Sequence, residues 1–163
     1  MIVKIISGGQ SGADQAGLIA ASTLNIATGG WAPQGWLTEE GPAAWLSDLG
    51  LRQADKPGYS YRTKLNVMDS DGTLLFGDPG SPGSRLTMEL CHHKKLNRRL
   101  FIVNWAGSLR YDEATNHQGV QSWLEQWKIR ILNVAGNRES VMPGIGERVV
   151  EFLIETLKRR NDD

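Results

Sequence analysis

Three glycine- and serine-rich stretches carry the residue types that hold oxyanions, and each follows an apolar run. The first is Ser7-Gly8-Gly9-Gln10-Ser11-Gly12-Ala13-Asp14. Gly8, Gly9 and Gly12 let a phosphate approach the backbone, because no Cβ stands in the way. The N–H groups of such a loop and of the helical turn after it converge on one point, and the helix dipole adds positive potential there. Gln10, Ser11 and Asp14 put polar side chains where a ligand would lie. The plain alternative is a tight strand–helix turn, with Ser11 as N-cap and Asp14 favouring the dipole. No Lys-Ser/Thr pair follows, so the loop is not a P-loop. Ser7 stands where the dinucleotide fingerprint has its first glycine, and the next acid after Asp14 is Glu39, which argues against NAD.

The second stretch is Gly77–Glu89, where Gly80 and Gly83 precede a helix with Ser84 as its expected N-cap and Thr87 a turn later. It forms another phosphate-sized cradle. Glu89 follows the cradle and is the candidate general acid or base; the alternative is a helix-start carboxylate facing the dipole. The third is Asn133–Gly146, with Asn137, Arg138, Glu139 and Ser140 just past an apolar strand. The planar fork of Arg138 suits a phosphate or carboxylate, and the alternative is a surface Arg138–Glu139 pair.

Weaker candidates lie elsewhere. Arg62 and Asn66 are one helical turn apart and can face one site. Asp69 and Asp71, in Asp69-Ser70-Asp71-Gly72, can touch a ligand hydroxyl or a metal, though the plain reading is a turn. Cys91-His92-His93 resembles a metal sequence, but consecutive helical residues diverge and no second cluster completes a zinc set, so no metal is expected. Trp31, Trp36 and Trp105 are candidates to stack on a flat ring.

Alternating strands and helices position these loops. Strands are expected at Ile2–Ile6, Thr73–Phe76, Leu100–Val103 and Ile129–Val134, and Gly29–Trp36 reads as a short strand running into a loop. Helices are expected at Ala13–Leu24, Tyr61–Met68, Ser84–Leu96 and His117–Trp127, the last with Val120, Trp123, Leu124 and Trp127 as its core stripe. A final helix follows Gly146, with Lys158, Arg159 and Arg160 complementing its C-terminal dipole. Residues 37–60 show little periodicity and read as a lid or insertion. The pattern implies an α/β domain over residues 1–163, with a mostly parallel sheet covered on both faces and ligands at the carboxyl ends of its strands.

Composition narrows the partners. Lys plus Arg and Asp plus Glu are 18 each, so nothing global draws the chain to nucleic acid or an anionic membrane. No apolar run reaches the ~20 residues of a membrane span, and no signal-peptide pattern opens the chain. One cysteine excludes an intrachain disulfide and suits a reducing cytoplasm.

The stretches Ser7–Asp14, Gly30–Gly35, Tyr61–Val67, Asp69–Thr73, Leu86-Thr87 and Asn133–Ser140 resemble the family named putative molybdenum carrier, a circularly permuted branch of the SLOG superfamily. The resemblance covers nearly the whole chain. It implies a Rossmann-like, three-layer α/β/α domain that binds a phosphate-bearing small molecule, either a nucleotide or the molybdenum cofactor. A homo-oligomer is expected by analogy alone. The same superfamily holds the lonely-guy phosphoribohydrolases, whose motif is Pro-Gly-Gly-x-Gly-Thr-x-x-Glu. In the matching stretch here, Ser81 replaces the second Gly and Glu89 falls later than the motif's Glu. Three expectations follow: a carrier, a nucleotide N-glycosidic hydrolase using Glu89, or a sensing module in which the ligand gates a partner.

Overall fold

The computed structural model describes residues 1–106 and 113–158. β1 (Lys4–Ile6) leads through the first glycine loop into α1 (Ala13–Thr23), and a left-handed turn at Asn25 starts β2 (Ala27–Ala32). A short antiparallel hairpin, β3 (Leu37–Thr38) and β4 (Gly41–Pro42), precedes a 3₁₀ turn (Ala44–Leu49) and β5 (Leu51–Gln53). Then come α2 (Tyr59–Asp69), β6 (Gly72–Gly77), α3 (Pro82–His92), β7 (Arg99–Asn104), α4 (Glu113–Gln126), β8 (Ile131–Gly136) and α5 (Ile145–Lys158).

Six strands form one sheet in the order β5-β2-β1-β8-β6-β7, and every pairing is parallel. The pleat sends alternate side chains to opposite faces. Ile5, Leu74, Phe76, Leu132 and Val134 pack with Ala13, Ala16, Val149 and Leu153 in the main core, under α1, α4 and α5. The alternate residues Thr73, Leu75 and Asn133 are buried toward α2 and α3, where Asn133 Nδ2 donates to Thr73 Oγ1 at 3.1 Å. Central strands buried on both faces are why their apolar runs are nearly continuous. The result is the expected Rossmann-like α/β/α arrangement. No described helix is long and apolar enough to cross a membrane.

The structure corrects several expected boundaries. β2 begins at Ala27 and ends at Ala32, so Trp36 lies beyond it. Residues 37–60 contain a sheet strand: β5 pairs with β2 and forms one edge. Leu46 and Leu51 pack there with Leu18 and Ala32 in a second, smaller core. Strands of two or three residues are too short to show a period, which is why the segment looked featureless. α3 starts at Pro82 with Ser81 as N-cap, not Ser84, since Ser81 Oγ accepts from Ser84 N at 3.3 Å and proline suits the first helical turn. It stops at His92 because His93 is extended. α4 ends before Trp127, which is 41% exposed and lies under Arg99 rather than in the core. Lys158 closes α5 as expected, whereas Arg159 and Arg160 lie outside the described residues.

Candidate functional site

The chain runs outward from β1 to β2 on one side and from β6 to β7 on the other, with β8 between them. Loops therefore diverge at the carboxyl ends of β1, β8 and β6 and leave a crevice. A cavity of about 210 Å³ lies there, between α2 and the N-terminus of α3. Of the residues singled out by sequence, Gly8, Gln10 and Asp14 line it from the first loop, Arg62 and Asn66 from α2, Gly83 and Thr87 from α3, and Asn137 and Arg138 from the end of β8.

Arg62 lies directly over Gly8. A Cβ at position 8 would sit 1.4 Å from Arg62 Nη1, so only glycine admits the guanidinium. Arg62 Nη1 is paired with Asp14 Oδ2 at 2.9 Å, and both side chains are largely buried. Asp14 Oδ2 also accepts from Gln10 N at 3.3 Å. The first glycine loop thus cradles an anion belonging to the chain itself. Burial pushes the Asp14 carboxyl above its ordinary value, against the opposing pull of Arg62 and of the Gln10 and Gly8 amides.

Across the cavity, α3 presents its first turn. Thr87 Oγ1 donates to Gly83 O at 3.1 Å, and space beside Gly83 is open. Asn137 holds this turn to the sheet: its Oδ1 accepts from Asp78 N at 2.6 Å and its Nδ2 donates to Ser81 Oγ at 2.8 Å. Asn66 is committed to β2, accepting from Trp31 N at 2.9 Å and donating to Trp31 O at 3.0 Å. Arg138 is half exposed at the rim, its Nε 3.9 Å from Glu39 Oε2. The remaining polar side chains therefore orient the walls, while Arg62, paired with Asp14, and Arg138, beside Glu39, bring their guanidinium groups to the cavity, and the opening turn of α3 adds the positive end of its dipole.

The match to the circularly permutated YpsA SLOG family runs over residues 5–157. The chain belongs to that family. A solved structure described as a putative molybdenum carrier protein from Syntrophus aciditrophicus is 34% identical to this SLOG chain, with a TM-score of 0.84 over 95% of this chain and 94% of that one. No curated protein matches.

The SLOG frame leaves several sequence candidates outside the cavity. Gly9 is turned toward Leu46 and Leu51 of the small core. Gly12, not Ser11, is the N-cap residue of α1, and no side chain caps that helix. Ser11 Oγ donates instead to Glu39. Ser84 is buried beneath the α3 turn, 3.0 Å from Ser81 Oγ. Asp69 accepts from Trp31 Nε1 at 2.7 Å on the surface. Asp71 accepts from Arg130 N and Ile131 N, at 2.9 and 2.8 Å, where β8 begins, at the amino ends of the strands. Glu139 accepts from Gly144 N and, at 3.1 Å, from Gly146 N, so it neutralises the start of α5 rather than facing a ligand or pairing with Arg138. Glu89 is exposed on α3 and does not line the cavity. Neither do the three candidate tryptophans; Trp105 packs against Phe76 and Phe152.

Residues that sequence reasoning missed are Tyr59 and Thr63 on α2, which line the cavity, and Glu39, which reaches Ser11 and Ser140 across the loops. Tyr59 and Thr63 share the helical face of Arg62 and Asn66, so spacing could have found them. Glu39 carried no local signal. Burial, the largest single influence, pushes its carboxyl up, but hydrogen bonds from Ser11 and Ser140 and the charge of Arg138 together outweigh it and hold the carboxyl below the ordinary glutamate value. At Cys91, burial pushes the thiol up, which suits a structural side chain. Among the described residues, no group of three or more His, Cys, Asp and Glu is placed to hold a metal ion.

Proposed function

We propose that the cleft binds the phosphate of a nucleotide-like or molybdopterin-like ligand and that the protein carries this ligand rather than cleaving it. The observation that carries the reading is the pair Arg62 and Arg138 lining one crevice with the opening turn of α3. Two guanidinium forks and a helix N-terminus suit a phosphate group. The cavity, about 210 Å³, is smaller than the ~300–1,000 Å³ typical of whole-ligand pockets, so it takes the phosphate and its neighbouring group. The rest of the ligand extends past Tyr59, which lines the cavity and is 44% exposed. The name of the Syntrophus relative supports the carrier form of this proposal. The hydrolase reading loses its acid–base residue, because Glu89 stands outside the cavity and Asp14, inside it, is bound to Arg62.

Thermal unfolding with AMP, GMP and purified molybdenum cofactor tests this. A ligand with Kd about 1 μM, present at about 100 μM, stabilises the fold by ~2.7 kcal/mol. The shift is expected to vanish in Arg62→Ala. No stabilisation by any of the three overturns the proposal.

A further inference from the structure

The carboxylate of Glu39 is held by a set of donors that belongs to two other loops. Ser11 Oγ donates to its Oε1, Ser140 N donates to the same atom at 3.1 Å, and Ser140 Oγ donates to its Oε2. Arg138 Nε stands 3.9 Å from Oε2. Ser11 Oγ receives Glu139 N at 3.4 Å, which leaves its own hydrogen to point at the carboxylate. Ser11 N is fixed by Gln10 Oε1 at 3.0 Å. The donors are thus positioned by the glycine loop before α1 and by the turn after β8, not by the residue they bind.

The residue they bind comes from the least anchored element. β3 and β4 pair only through Leu37–Thr38 and Gly41–Pro42, and neither joins the main sheet. A two-stranded hairpin of this size is marginal alone. Its outer face is open, with Leu37 46% exposed. Besides the carboxylate, its tip is tied to the first loop by Glu39 N, which donates to Gln10 Oε1 at 2.9 Å.

We propose that Ser11, Ser140 and Arg138 form a second oxyanion subsite beside the cleft, and that Glu39 occupies it as an internal stand-in until a tetrahedral oxyanion displaces the hairpin tip. The ligand class is a phosphate or a similar dianionic oxyanion, free or carried on a larger molecule. One edge of such an ion presents two oxygens, as the carboxylate does, to the same three hydrogen-bond donors and the Arg138 charge. Because Arg138 also lines the cleft, the subsite rests on the cleft being the ligand site.

Calorimetric titration with inorganic phosphate, and separately with AMP, tests this on the wild-type chain, Glu39→Ala and Glu39→Ala/Ser140→Ala. An internal group that fills a site about 90% of the time weakens apparent affinity about tenfold. Glu39→Ala is therefore expected to bind phosphate at least about tenfold more tightly, and Ser140→Ala to abolish the gain. AMP improving equally shows that the subsite accepts a carried phosphate; phosphate alone improving shows that it takes the free ion. Phosphate binding no tighter than wild type, or a gain that survives Ser140→Ala, overturns the subsite. Should Glu39→Ala unfold, Glu39→Gln, which keeps an acceptor and removes the charge, is read by the same criteria. AMP binding by the wild type, with no gain for either phosphate or AMP in the variant, keeps the cleft and rejects the subsite. A Ser140-dependent gain, with no binding of nucleotide or cofactor by the wild type, does the reverse.

Discussion

At the scale of single residues, the cleft is built on one missing Cβ. Gly8→Ala drives the Arg62 guanidinium away, because the new carbon would fall 1.4 Å from Nη1 and 2.4 Å from Cζ. The displaced group is the end of a flexible side chain, so the fold is expected to survive while the Asp14–Arg62 pair breaks. Circular dichroism is expected to stay native, and AMP or cofactor binding to fall at least about tenfold, the loss of one charge-assisted contact. Glu39 sets a pH dependence of opposite sign to Asp14. Its folded carboxyl is held below the ordinary value near 4.5, so its contribution is full above that pH and is lost as pH falls through the lower folded value. Asp14, raised by burial, favours the fold in acid and loses that advantage as pH rises through its raised value. Denaturation between about pH 3 and 6 is expected to show a shallower acid loss in Glu39→Gln than in wild type. Glu39 was only the next acid after Asp14 in the sequence. Its three side-chain partners lie 28 to 101 residues away, beyond any local spacing.

At the scale of elements, the turn of α3 that lines the cavity depends on a cap at Ser81 rather than the expected Ser84. Ser81 accepts from Ser84 N and from Asn137 Nδ2, so it joins α3 to the end of β8. Ser81→Ala is expected to cost about 1 kcal/mol in chemical denaturation, the usual loss for an N-cap. It should also weaken phosphate binding, whereas Ser84→Ala, without a cap to remove, should cost less. The helix here was legible from Gly80, Gly83 and the run after them. The cap was not, because Ser81 and Ser84 offer the same hydroxyl, and the choice falls to Pro82 and to Asn137 from another strand. α4 showed its period plainly in Val120, Trp123 and Leu124, whereas β3, β4 and β5 are too short to have one.

At the scale of the whole molecule, two cores of unequal size divide the stability. The main cluster spans α1, α4, α5 and four of the six sheet strands, β1, β6, β7 and β8, whereas Leu18, Ala32, Ala43, Leu46 and Leu51 form a small one under the hairpin and the 3₁₀ turn. Less apolar area buried means a lower local opening energy. Amides of residues 37–49 are expected to exchange faster than those of β6 by native-state hydrogen exchange; equal protection would show that the hairpin opens only with the whole fold. The sequence alone determined what repeats locally: apolar runs for central strands, apolar stripes for helices, and small residues where strands turn into helices. These rest on the geometry of each element and need no distant partner. Tertiary structure decided how the charges are spent. Asp14 and Arg62 lie 48 positions apart, and only the crossing of α2 over the first loop turns an expected ligand contact into an internal ion pair. The first glycine loop therefore holds the chain's own carboxylate through Arg62, while the opening turn of α3 and Arg138 line the cleft beside that pair, because ion pairing follows distance in space rather than spacing along the chain.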